Sequence, residues 1–334
     1  MSAQGDAEAF AVRAGIDEAG YGPMLGPLVL GVSAFRSTAT ALPDWTGLAA
    51  AVSDDPKRDA ERLVVTDSKK VFTRNPRGFA RLESTALAFW RAARGADAWP
   101  SGRALVTGAP ANLGPTDAAL DAHPWYRELP DALPTGADPE RLGAAYRGLE
   151  RTLGDAGLEV VEAAPVVVPV GSLNASFDAT GNKAATLWSY GSRVALDLFL
   201  RFGAEGLELV FDRLGGRARY GRALSDLIPF SEVRVLGESN QASRYAVRDA
   251  EGRRMRVSFV QKGDATSLPV ALASCLAKYA RELSMDAFNA HFRSRCPGVS
   301  PTAGYVTDAR RWLDEVRRDV PDALPGRDVL VRKR

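Results

Sequence analysis

The feature that most constrains this chain is the stretch Gly15-Ile-Asp-Glu-Ala-Gly-Tyr-Gly-Pro-Met-Leu-Gly-Pro27, where an apolar run stops abruptly on two adjacent carboxylates. Phe10 to Ile16 reads as a strand and Leu28 to Phe35 as a second, joined by glycines and prolines. Two strands so close in sequence predict a mixed sheet, not a purely parallel one. Asp17 and Glu18 at a strand end are costly to hold together unless cations lie between them. Neighbouring strand residues face opposite ways. Both acids therefore reach one centre only if the strand breaks at Glu18, which the following glycines permit. Read alone, the same pair is more often an exposed acidic turn.

Further along, Leu63–Thr66 leads into Asp67-Ser-Lys-Lys70, where Asp67 or Ser68 can cap a helix and the lysines can bind phosphate. Helical spacing covers 76–93. Residues 94–157 are rich in Pro, Gly, Ala and Asp, with an aromatic island at Trp125-Tyr126 and a helix over 139–153. They read as an insertion within a single domain spanning 10–325. A valine-rich strand (158–170), a helix (184–202) and a buried strand (207–211) ending on Asp212 follow. The 213–258 region opens with Arg213, Arg217, Arg219 and Arg222 and carries strands near 232–236 and 245–247. A strand over 256–261, a long helix over 268–292 and a mobile basic tail at 326–334 complete the chain. Strands alternating with helices predict an α/β fold.

Net charge is only +2 over 334 residues, so any contact with nucleic acid has to come from local clusters of Arg and Lys. No apolar run is long enough to span a bilayer, and Met1–Phe10 lacks an apolar signal core. Cys275 and Cys296 are too far apart for a zinc knuckle, and His123 and His291 have no nucleophile motif beside them. A soluble, cytoplasmic, monomeric protein without membrane contact is expected.

Six segments then occur in a telling order: Asp17 to Pro27, Asp67-Ser-Lys-Lys70, Asp212 at a strand end, Lys262-Gly-Asp-Ala-Thr-Ser-Leu268, Ala277-Lys-Tyr-Ala-Arg-Glu282 and Gly304-Tyr-Val-Thr307. In that order they resemble the type 2 ribonuclease H family (ribonucleases HII and HIII) over most of residues 11–315. The resemblance implies a ribonuclease-H-like fold: a central mixed five-stranded sheet flanked by helices, with insertions and a C-terminal helical extension. It also implies hydrolysis of RNA in RNA–DNA hybrids, or at ribonucleotides in duplex DNA, with 3′-hydroxyl and 5′-phosphate products.

By the same resemblance Asp17, Glu18, Asp212 and Glu282 would hold two Mg²⁺ or Mn²⁺ ions. Gly20, Tyr21 and Gly22 would meet the ribose, Tyr305 would stack on a sugar, and Ser68, Lys69, Lys262 and Ser267 would follow the phosphates. Three positions depart from the family pattern. Tyr21 stands where most ribonucleases HII have arginine, Arg213 follows Asp212 where glycine is usual, and Glu282 replaces an aspartate. Two other readings stay open: a nuclease of the same fold acting on branched or all-DNA duplexes, and a non-catalytic nucleic-acid-binding protein.

Overall fold

The structure, a computed structural model, describes residues 10–38, 42–60, 62–110, 113–213 and 217–333. In chain order its strands are β1 (Val12–Ala19), β2 (Leu28–Ser37), β3 (Val52–Ser53), β4 (Leu63–Val64), β5 (Leu158–Val168), β6 (Leu207–Asp212), β7 (Glu232–Glu238), β8 (Ala242–Arg248) and β9 (Arg254–Val260). Seven of them form one sheet in the order β5-β2-β1-β6-β9-β8-β7, and β3 with β4 makes a small parallel pair. The sheet is mixed: β1, β6 and β9 run parallel side by side, while β2 and β8 flank them antiparallel. The fold is therefore α/β as expected, but with seven strands instead of five, because β7 and β8 extend the β9 side.

The helices are α1 (Ser68–Val71), α2 (Pro76–Ala92), α3 (Gly102–Thr107), α4 (Asp117–Asp121), α5 (Pro139–Asp155), α6 (Val170–Thr180), α7 (Lys183–Phe202), α8 (Gly221–Leu227), α9 (Leu268–Arg295), α10 (Val306–Asp319) and α11 (Arg327–Leu330). Their starts follow capping chemistry. Asn75 and Asp138 accept the backbone N–H of Gly78 and Arg141, each just before a proline at the first helical turn. Two cores result, with α9 and α2 on one face of the sheet and α7 and α8 on the other.

Helix α9 lies on bare backbone. A methyl group at Gly31 of β2 would overlap the Ala273 carbonyl, and one at Gly15 of β1 would overlap the Pro269–Val270 peptide. Ser33 donates to the Pro269 carbonyl at 2.7 Å across the same contact. Overpacking of this kind costs about 1–3 kcal/mol. Gly31→Ala is thus expected to lower the urea midpoint by an amount worth about 3 kcal/mol, and an unchanged midpoint would mean that the helix can ride up freely.

The 94–157 segment packs inward. Trp125 is 1% exposed and its ring centre lies 5.1 Å from that of Phe288 on α9, so Trp125 and buried Tyr126 are core residues. The expectation of a mobile basic tail is also corrected. Through Lys333 the segment is docked: Leu330 and Arg332 are buried, and Asn174 of α6 donates to the Asp328 and Val331 carbonyls. Arg334 lies outside the described residues. Among the described residues no helix is long and apolar enough to cross a membrane.

Candidate active site

Three parallel strands finish on one edge of the sheet, and each delivers a carboxylate there. β1 and β6 pair in register up to Ile16 and Phe211, and β6 pairs with β9 up to Asp212 and Val260. Ile16 and Phe211 point into the core shared with α7. The next residues, Asp17 and Asp212, therefore both point to the α9 face. The expected break at Glu18 is one-sided. The ladder with β2 continues through Glu18 and Ala19, and the chain turns only at Gly20, with φ 87°. On the other side the pairing with β6 has already ended at Ile16. After β9 the chain reverses at Lys262 (φ 56°) into a short turn, Gly263–Ala265, that leads to α9. The Gly263 N–H donates to Asp212 Oδ1 at 2.9 Å, and Asp264 sits in the same turn.

These acids share one electrostatic environment. Burial and then the charge of Asp212 push the Asp17 carboxyl up to about 7, against hydrogen bonds from the Glu18 N–H and from Ser274 on α9. Burial, then Asp17 and Asp212, push Glu18 up to about 9, and Lys69 pulls it back. Glu18 Oε2 is buried without a hydrogen-bond partner. Asp212 is raised by burial, and Asp264 by burial and the charges of Asp67 and Asp212. The donor set of crowded carboxylate oxygens, one of them unpartnered, fits a hard divalent cation. Among the described residues, no group of three or more His, Cys, Asp or Glu side chains is arranged so that it could hold a metal ion.

Glu282 is not brought to this cluster. It lies eight residues beyond Ser274 on α9, about 12 Å of helix rise, and pairs with Lys278 at 2.6 Å. It lines a separate cleft with Asp286 and Asn289. Asp264 joins Asp17, Glu18 and Asp212 instead. The sequence offered a signal for it, an acid just past the end of a strand next to the one that ends on Asp212. That signal becomes decisive only once β6 and β9 are known to be parallel neighbours.

The remaining expected residues divide by environment. Gly22 is exposed, and a Cβ there would meet nothing within 4 Å, so its backbone is open to a ligand. Gly20 is enclosed by Arg281 and Pro27. Tyr21 is half-buried with the Lys183 ammonium 4.4 Å above its ring. Ser68 is buried and accepts a hydrogen bond at 2.8 Å from Ser274, the same α9 residue that hydrogen-bonds Asp17. Lys69 and Lys262 are exposed at the rim, and Ser267 stands at the N-terminus of α9. Tyr305 is 49% exposed, next to Arg281, on a loop whose Gly304 carbonyl accepts the N–H of Met24. Of the basic stretch, Arg213 is occupied by the Ser239 and Asn240 carbonyls, whereas the Arg219 and Arg222 side chains are largely exposed.

No family model matches the chain, and no curated protein matches it. Among solved structures it is similar to a chain of the PCNA:RNase HII complex from Archaeoglobus fulgidus, at 16% identity over 97% of this chain and 94% of that one, with a TM-score of 0.41. Bst-RNase HIII in complex with Mn²⁺ aligns at 15% identity over 98% of this chain and 67% of that one, with a TM-score of 0.40. The ribonuclease H2 from Pyrococcus horikoshii OT3 aligns at 14% identity over 96% and 92%, with a TM-score of 0.35. Alignments this loose transfer no residue's role to this chain.

Proposed function

We propose that this chain is a metal-dependent endonuclease of the ribonuclease HII/HIII type, cutting RNA where it is paired or joined to DNA. The observation that supports the reading is that Asp17, Glu18 and Asp212 end two adjacent parallel strands, Asp264 follows the third, and burial and the charge among them raise the Asp17, Glu18 and Asp264 carboxyls beside the glycine-rich turn. These four acids, with Glu282 outside the set, would hold Mg²⁺ or Mn²⁺. Bound there, the two cations would activate water and neutralise charge on the leaving oxygen. The protein's own part is to position the strand. The open backbone at Gly22 lets a sugar come close, and the exposed Tyr305 ring offers it a flat apolar face. Lys69 and Lys262 flank the acids and offset repulsion between carboxylate and phosphate.

The test is incubation of the purified protein with end-labelled all-DNA duplex, RNA–DNA hybrid and DNA carrying one ribonucleotide, in EDTA, Mg²⁺ or Mn²⁺. Cutting confined to the ribonucleotide-containing duplexes and abolished by EDTA is expected. Cutting of all-DNA duplex alone would assign a different substrate. Binding of duplex without cutting under every condition would leave a nucleic-acid-binding protein.

A further inference from the structure

The glycine-rich turn rests on two buried guanidinium groups that have no bonded acid among the described residues. Arg332, 6% exposed, donates through Nε to the Gly26 carbonyl at 2.8 Å and through Nη1 to the Gly20 carbonyl, yet its Nη2 has no partner. Beside it Arg281, 2% exposed, reaches the Ala303 carbonyl at 3.2 Å and leaves its Nε unpartnered. The acid whose charge Arg281 feels, Glu282, is bonded to Lys278. Carbonyl oxygens orient a guanidinium but do not cancel its charge, and a buried cation without a counter-charge is costly.

Arg332 also lines a recess between the turn and the α6–α7 pair, together with Tyr21, Asn174, Lys183 and Lys333. Three cations therefore meet there. Among the described residues Asp178, at 2.6 Å, and Asp328, at 3.9 Å, face the Lys333 ammonium, and no acid is bonded to Arg332. Lys183 stands over the Tyr21 ring at the exposed mouth. The geometry points to this recess as a binding site for a phosphate oxyanion, between Arg332, whose guanidinium is short of a partner, and Lys183 at the mouth. Tyr21 lies within the field of Glu18, so the recess borders the carboxylate cluster. The phosphodiester of a bound strand, next to the one being cut, has the right chemistry, and so does free phosphate. Only the assignment to a strand rests on the nuclease reading.

The test uses the full chain in EDTA, with Arg332→Gln and Lys183→Gln. Lys183 is exposed at the first position of α7, so its replacement spares the fold even where loss of Arg332 loosens the turn. Binding of a labelled RNA–DNA hybrid is measured against salt, and the thermal response to inorganic phosphate against chloride. Each variant is expected to bind hybrid about tenfold more weakly and to lower the salt slope by about one, as loss of one phosphate contact does. Phosphate should stabilise the wild type and not Arg332→Gln. Wild-type salt slopes and phosphate responses in both variants would overturn the proposal and reduce Arg332 to a clamp on the turn. Were the wild type to ignore every duplex while the variants lost the phosphate response, the nuclease reading would fail and the phosphate site would stand.

Discussion

Glu83→Ala is expected to cost about 5 kcal/mol of folding stability, enough to unfold a domain of ordinary stability. Glu83 lies in the middle of α2 and is 0% exposed. Its two carboxyl oxygens accept five hydrogen bonds: from the Thr135, Gly136 and Ala137 N–H groups, the Thr135 hydroxyl and the Tyr279 hydroxyl of α9. One side chain thus fastens the 94–157 segment to α2 and to the helix that carries Ser274. Alanine would leave those buried donors unpaired at about 1–3 kcal/mol each, partly relieved by water entering the gap. Glu83→Gln keeps the shape but turns an amide N–H₂ toward the donors, so about half the loss is expected. Urea unfolding measures both. A loss under about 1 kcal/mol for the alanine variant would show that the 135–137 loop is held by something else.

Much of the scaffold was legible because burial leaves a period in the sequence. The apolar run Leu28–Phe35 is buried on both faces of a strand, and the boundaries of α2, α5, α7 and α9 fall within a few residues of the apolar spacing. Other elements carry no such mark. Helix α6 was invisible because Val170–Thr180 is mostly small and polar and follows Pro169. It is held by α11 and α7 more than by its own propensity. Strand β7, by contrast, was legible near 232–236 although it is exposed along most of its length. The docking of Arg332 is a contact between residues about 310 positions apart in the chain, which no local pattern encodes.

The candidate site divides the same way. Asp17 and Asp212 each end a readable strand, and their shared face follows from counting residues back to Ile16 and Phe211. Glu282 is not told apart by sequence, since a carboxylate one turn from a lysine looks the same whether it is an ion pair or a ligand. Here it is an ion pair. Asp264 lay unclaimed inside Lys262-Gly-Asp-Ala-Thr-Ser-Leu268, because its place depends on β9 lying parallel to β6.

Paired replacement of the β1 acids should separate function from stability. In Asp17→Asn/Glu18→Gln, ribonucleotide cleavage is expected to fall at least about a thousandfold, corresponding to roughly 4 kcal/mol of lost transition-state stabilisation. The same protein should become more stable in EDTA at alkaline pH. Free Asp and Glu carboxyls ionise near 4, whereas burial holds Asp17 to about 7 and Glu18 to about 9. Between those limits the folded protein keeps protons that the unfolded chain has lost. Unfolding there releases protons, and stability falls as pH rises. Wild-type Tm in EDTA should therefore drop from pH 5 to pH 9, with a loss on the order of a few kcal/mol at the upper end. The uncharged amides remove that penalty and flatten the profile. Mn²⁺ should restore the wild type at pH 8 and leave the double variant unmoved, because only ionised carboxylates bind the cation tightly. A flat wild-type profile, or equal stabilisation of both proteins by Mn²⁺, would show that Asp17 and Glu18 are not the crowded, metal-seeking pair that their burial describes.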